Sequence, residues 1–181
     1  MTIPDGPTII SRPSTPPPTP SCPSELPPPF QMSELLFLDA TMQLTSYKHF
    51  YIQYATPMGA TSAMLTFEFI TQQGKWYLDD VSMKAQNDDA KEIISNGGFE
   101  TGNLAPNWQY CHAIHPWFGG GVENQFVHTG AFSYASADFS LDSRDYLTQV
   151  VEVEGFTNYI IEFYLFCTGT ITSVKVSITS R

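Results

Sequence analysis

Basic residues are scarce in this chain: 8 lysines and arginines stand against 18 aspartates and glutamates in 181 residues, for a formal charge of -10. That balance disfavours a nucleic-acid backbone or an anionic membrane as partner, since both carry charge of the same sign. Long apolar runs are missing too. No stretch reaches the roughly 18 residues a bilayer span requires, and residues 1–14 lack the basic-then-apolar pattern of a signal peptide. An extracellular placement therefore requires an export signal outside this sequence. Cysteine is sparse: Cys22, Cys111 and Cys167 permit one disulfide and leave one residue over. Cys22, set among prolines, is the expected spare. Cys111 and Cys167 pair only if the fold brings their strands together; otherwise they are two buried thiols. There is no Gly-x-Ser-x-Gly elbow, no glycine-rich phosphate loop with lysine, no clustered cysteine pair for a zinc knuckle and no Asn-x-Ser/Thr sequon. The expectation is a protein without catalysis, binding neutral ligands or cations.

Hydrophobic residues make up 42% of the chain and aromatics 14%, enough for one folded domain with a real core. Residues 1–32 stand apart. Prolines recur there, including Pro16 to Pro18 and Pro27 to Pro29, among serine and threonine. Proline offers no amide donor and the stretch has little apolar bulk, so a disordered, semi-stiff spacer is expected, open to O-linked sugars or to an SH3-like partner.

From residue 33 to 181, short β-branched and aromatic runs alternate with Gly, Asn, Asp and Ser clusters, which predicts an all-β sandwich. Strands are expected over 35–39, 48–54, 63–71, 76–83, 92–94 leading to Phe99, 107–111, 122–127, 131–137, 145–153, 158–167 and 174–179. Ser33 could instead cap a short helix, although the alternation of Leu36, Leu38 and Ala40 suits a strand.

Two segments carry a family resemblance: Asn96-Gly97-Gly98-Phe99-Glu100 followed by Gly102 and Trp108, and Trp76-Tyr77-Leu78-Asp79-Asp80-Val81-Ser82. They resemble the opening and closing strands of galactose-binding-like jelly rolls, the carbohydrate-binding modules grouped in families four, nine and twenty-two. The order here is reversed, with closing strands over 33–84 and opening and middle strands over 92–181. Either the piece is cut across two tandem modules or it is one circularly permuted sandwich; the two halves look unlike each other, which favours the single sandwich. The resemblance implies a non-catalytic glycan-binding module in an extracellular setting, with a structural calcium where first and last strands meet. Calcium takes oxygens from carboxylates and carbonyls, and Glu100, Asp79, Asp80 and the backbone near Asn96 are the expected ligands. Strict alternation leaves a bulge to decide which aspartate points inward, with Asp80 preferred. The alternative is that these acids cap turns and face solvent.

Sugar binding needs a flat ring for stacking and polar groups for hydroxyls. Trp108, Tyr110, Trp117 and Phe118, running into Gly119-Gly120-Gly121, form the densest ring cluster, with Trp117 the most loop-like. Asn124, Gln125, Tyr134 and Asp138 are expected polar partners. For any single aromatic in a sandwich the core is the commoner place, and Trp117 alone tilts toward exposure. His112, His115 and His128 read as surface or loop residues, because an odd spacing on a strand points side chains to opposite faces. Glu152 and Glu154 read as a solvated strand face rather than a glycosidase pair. The leading reading is a neutral-glycan binder. Its rivals are a structural or adhesive extracellular β-sandwich that recognises proteins through sheet edges or loops, and a fragment of a multi-module protein.

Overall fold

The structure, a computed structural model, describes residues 31–39, 44–87, 91–112, 119–136, 143–169 and 171–181. Ten strands are present among them: β1 (Gln31–Leu38), β2 (Lys48–Ala55), β3 (Ser62–Gln73), β4 (Trp76–Ala85), β5 (Gln109–His112), β6 (Gly121–Glu123), β7 (Ser133–Ala135), β8 (Ser143–Glu152), β9 (Asn158–Cys167) and β10 (Ile171–Ser180). They form two five-stranded sheets, β1-β10-β3-β8-β5 and β2-β9-β4-β7-β6. Every pairing is antiparallel. Strands from the two halves of the chain alternate over the first four positions of each sheet, β1-β10-β3-β8 and β2-β9-β4-β7, so the halves complete each other's hydrogen bonding. The expected spacer lies outside the described residues apart from its last two positions, which open β1.

Period-two patterning builds the core. Along β9 the residues Tyr159, Ile161, Phe163, Leu165 and Cys167 are buried while their neighbours are not. In β3 the buried apolar set is Ala63, Leu65, Phe67 and Phe69, and in β10 it is Val174, Val176 and Ile178. These two faces meet: the Phe67 ring lies edge-on to Phe163 with centroids 5.2 Å apart. Fully burying each such side chain is worth about 1.5–3 kcal/mol, and this summed gain holds the sheets together.

The expected strand over 92–94 is reduced to one bridge, Lys84 to Glu92. The chain there is held by β4 instead: Val81 donates to the Gly97 carbonyl at 3.0 Å and Ile93 to that of Met83 at 3.0 Å. Gln149 fixes the same segment from the other sheet, accepting from Ser95 N–H at 2.7 Å and donating to Ser95 O at 3.0 Å. Strands expected over 122–127 and 131–137 shrink to β6 and β7. The residues between them, Asn124 to Phe132, form a loop laid on the outer face of the second sheet.

The outer face of the first sheet has a different character. Residues pointing away from the core run in register across four strands: Gln109, Thr148, Thr66 and Ser177 in one row, and Cys111, Tyr146, Glu68 and Lys175 in the next. Thr66, Thr148, Tyr146 and Ser177 on this face are nonetheless buried, whereas Gln109 is exposed.

Candidate functional site

The acidic cluster expected from the sequence is assembled by a bulge in β4 between Asp79 and Ser82, where Asp80 adopts φ 49°. Aspartate tolerates this left-handed conformation better than most residues. With the bulge, both carboxylates address the same loop. Asp79 is fully buried, its Oδ2 accepting from the N–H groups of His128 at 2.8 Å and Thr129 at 3.3 Å and its Oδ1 from Asp80 N–H at 2.8 Å. Asp80 accepts from Thr129 Oγ1 at 2.7 and 2.8 Å and contacts His128 Nδ1 at 2.7 Å. Glu100 holds the next stretch, accepting from Ala131 N–H at 3.0 Å and Phe132 N–H at 3.2 Å. Gly130, at φ +72°, is where any Cβ would collide with the Glu100 carboxylate. Rings secure the rest of the loop: His128 stacks on Tyr164 with centroids 3.7 Å apart, and Phe126 lies 5.0 Å from Tyr77.

This arrangement offers oxygen to a hard cation. An ideal Cβ at Gly98 would lie 3.3 Å from Asp80 Oδ1, 3.9 Å from Asp79 Oδ1 and 3.7 Å from Glu100 Cγ, so three acidic residues converge beside a residue without a side chain. Burial first, and then the neighbouring charge of Asp80, pushes the Asp79 carboxyl up to about 6, against the pull of its backbone donors. A divalent cation would relieve both effects. The carboxylates of Asp79 and Asp80, like that of Glu100, are engaged by donors of the 128–132 loop. The Asn96 side-chain amide donates to Thr101 Oγ1 and Asn103 O, and the Asn96 backbone carbonyl accepts from Trp108 Nε1 at 3.0 Å. Among the described residues, no group of three or more His, Cys, Asp or Glu side chains is arranged as a ligand set.

Of the expected ring cluster, the described members Trp108 and Tyr110 do not form an exposed platform. Trp108 is buried at 3% exposure, packed on Phe99 with centroids 5.6 Å apart, and Tyr134 is buried completely. Both are core residues, Tyr134 turned inward from β7 and Trp108 from the segment just before β5. Tyr110 is half-buried, and its hydroxyl donates to Asp145 Oδ1 at 2.7 Å and accepts from Gly120 N–H at 2.8 Å. Asn124 and Gln125 are exposed on the covering loop. Trp117, Phe118, His115 and Asp138 lie outside the described residues.

His112 is also corrected. It lies in β5 rather than at the surface, its side chain 4% exposed and its Nδ1 2.6 Å from Asp145 Oδ1. His128 does sit in a loop, but on the other sheet. The inward-facing Asp145 thus gathers His112 and Tyr110, and burial followed by its charge raises the Tyr110 hydroxyl well above the usual phenol range. The two strand cysteines do not pair with each other: Cys111 is disulfide-bonded and Cys167 carries a buried thiol, while Cys22 lies outside the described residues. Cys111 faces outward from the first sheet and Cys167 inward from the second, which separates them.

Comparison of the chain with known protein families, characterised proteins and solved structures finds no match.

Sequence reasoning missed the outer face of the first sheet. There Arg144 Nη1 lies 2.9 Å from Glu68 Oε1, which also accepts from Tyr146 Oη at 3.2 Å, and Lys175 pairs with Glu34 at 3.3 Å. The signal was present in the alternation of Leu65, Phe67 and Phe69 with Thr66 and Glu68, which marks a polar outer face on a central strand.

Proposed function

We propose that this chain is a non-catalytic, glycan-binding β-sandwich of the galactose-binding-like jelly-roll kind, which takes an extended neutral saccharide across the outer face of its first sheet. The observation that carries this reading is the registered polar floor of Gln109, Thr148, Thr66 and Ser177 beside Tyr146, Glu68 and Arg144. Hydroxyls, an amide and a carboxylate–guanidinium pair on rigid strands supply donors and acceptors at about 5 Å intervals, the spacing of neighbouring strands, and suit a polyhydroxylated chain. The pairing of Arg144 with Glu68 balances charge and favours a neutral ligand. A structural calcium at Asp79 and Asp80 belongs to the same proposal, as a clasp that fixes the 128–132 loop. The disulfide at Cys111 supports an extracellular, oxidising setting.

A second reading, an adhesive sandwich without sugar binding, draws on the edge strand β1, where Met32 and Phe37 are 60% and 55% exposed. A glycan array separates the two. The glycan reading expects a neutral hit that Arg144→Ala and Gln109→Ala each weaken while the melting temperature is retained. Silence across the array from folded, calcium-loaded protein moves the assignment to adhesion.

A further inference from the structure

The outer face of the second sheet divides in two. The half beside Tyr77 and Tyr164 is covered by Phe126 and His128, as described above. The other half is open, and in it outward-pointing residues of β2, β9 and β4 line up in two registered rows: Tyr51, Glu162 and Ser82, then Gln53, Ile160 and Lys84. A cavity of about 310 Å³ lies on this face, lined by Ser82, Lys84, Gln86, Asn87, Ile160 and Glu162. That volume stands at the lower end of ligand sites, which run from about 300 to 1,000 Å³, and matches one or two sugar units.

The chemistry of the lining selects the ligand class. Tyr51 is 51% exposed, its hydroxyl accepts from Gln53 Nε2 at 3.2 Å, and it is the cross-strand neighbour of Glu162 in the cavity wall. An exposed ring next to an aliphatic floor at Ile160 offers the apolar contact that pyranose C–H groups seek. Ser82, Gln86, Asn87, Lys84 and Glu162 offer both donors and acceptors. The charged groups already have polar partners: Glu162 contacts His49 Nε2 at 3.1 Å and Lys84 meets Glu92 at 3.8 Å. An ionic ligand would have to displace one of these contacts, whereas a neutral polyol can join them. We propose that this cavity is a second saccharide subsite for a neutral pyranose unit, with Tyr51 as its platform and Glu162, Lys84 and Asn87 as its polar partners. It lies on the opposite side of the sandwich from the face of the first sheet. A domain using both faces would bridge two glycan chains; the bridging, though not the subsite, rests on the function proposed above.

The test is amide chemical-shift mapping of the whole chain titrated with cellohexaose, xylohexaose and mannohexaose, in the wild type and in Tyr51→Ala. Tyr51 is half exposed on an edge strand, so its loss leaves the core intact. The expected result is a set of saturating shifts around residues 51, 53, 82, 84, 160 and 162, weakened about tenfold in apparent affinity by Tyr51→Ala, with shifts on the first sheet unchanged by that substitution. Shifts on the second sheet alone would sustain the subsite and sink the face proposed for the first sheet. Shifts confined to the first sheet would overturn the subsite and leave the earlier proposal standing, and shifts on neither face would overturn both.

Discussion

Removal of divalent cations should reverse how stability responds to pH, and Asp79 is the reason. Its carboxyl stands at about 6 in the fold against an ordinary 3.8, so the native state holds this proton more tightly than the unfolded chain does. The associated stability is fully present below 3.8 and is lost as pH rises through about 6. At 1.36 kcal/mol per pH unit the interval sets a ceiling of about 3 kcal/mol, and partial hydration of the cluster reduces this to about 1–2 kcal/mol. For a domain of this size that is a fall of about 2–8 °C in melting temperature. The assay is paired: melting curves in chelator from pH 4 to pH 7 for the wild type and for Asp79→Asn, whose difference isolates this one group from the other carboxylates. The difference should shrink or turn against the wild type as pH rises. With calcium present it should turn in favour of the wild type above about pH 6, because the ionised carboxylate is the form that binds metal. A difference curve that is flat in chelator would refute the burial argument, and one that calcium does not move would refute the clasp.

Three further outcomes follow from the packing. Trp108→Ala should lose about 3–5 kcal/mol in urea denaturation, as expected for a core indole; glycan binding lost at unchanged stability would instead return Trp108 to a ligand site. Gly130→Ala should cost about 1–3 kcal/mol, since it combines a left-handed backbone with a collision at Glu100, and its loop amides at Ala131 and Phe132 should exchange faster with solvent. Tyr134→Phe should leave stability within about 1 kcal/mol of the wild type, because the buried hydroxyl makes no hydrogen bond of good geometry, although Asp145 lies close enough to raise its pKa; a loss of several kcal/mol would show that the contact with Asp145 is a full hydrogen bond.

The fold class was legible because β3, β9 and β10 alternate cleanly between apolar and polar positions, and two-sheet packing is the simplest way to bury such faces. Strand ends were legible where a bulge or glycine intervened and illegible where a tertiary partner decided. Glu92 to Ile94 has strand-like residues, yet Glu92 spends its carboxylate on Met83 N–H at 2.9 Å and Ser82 Oγ at 2.6 Å, which holds the chain as a crossing segment. The acidic cluster was legible as three residues without their partners. The loop from His128 to Phe132 contributes mostly backbone N–H groups, and these leave no mark in the side-chain pattern. Trp108 and Tyr134 were misplaced because an aromatic in a strand reads the same on either face until the register is known. The row through Thr66 and Thr148 was illegible for the same reason: small hydroxylic residues acquire meaning only when neighbouring strands bring them into line.

Titration calorimetry with the strongest neutral glycan from the array, run on the wild type and on an Arg144→Ala, Gln109→Ala double variant of matched melting temperature, tests the central claim most directly. Saturable binding to the wild type that falls at least tenfold in the variant is the predicted result. Equal affinity in the two proteins would place the ligand elsewhere and contradict the assignment of the first sheet's outer face.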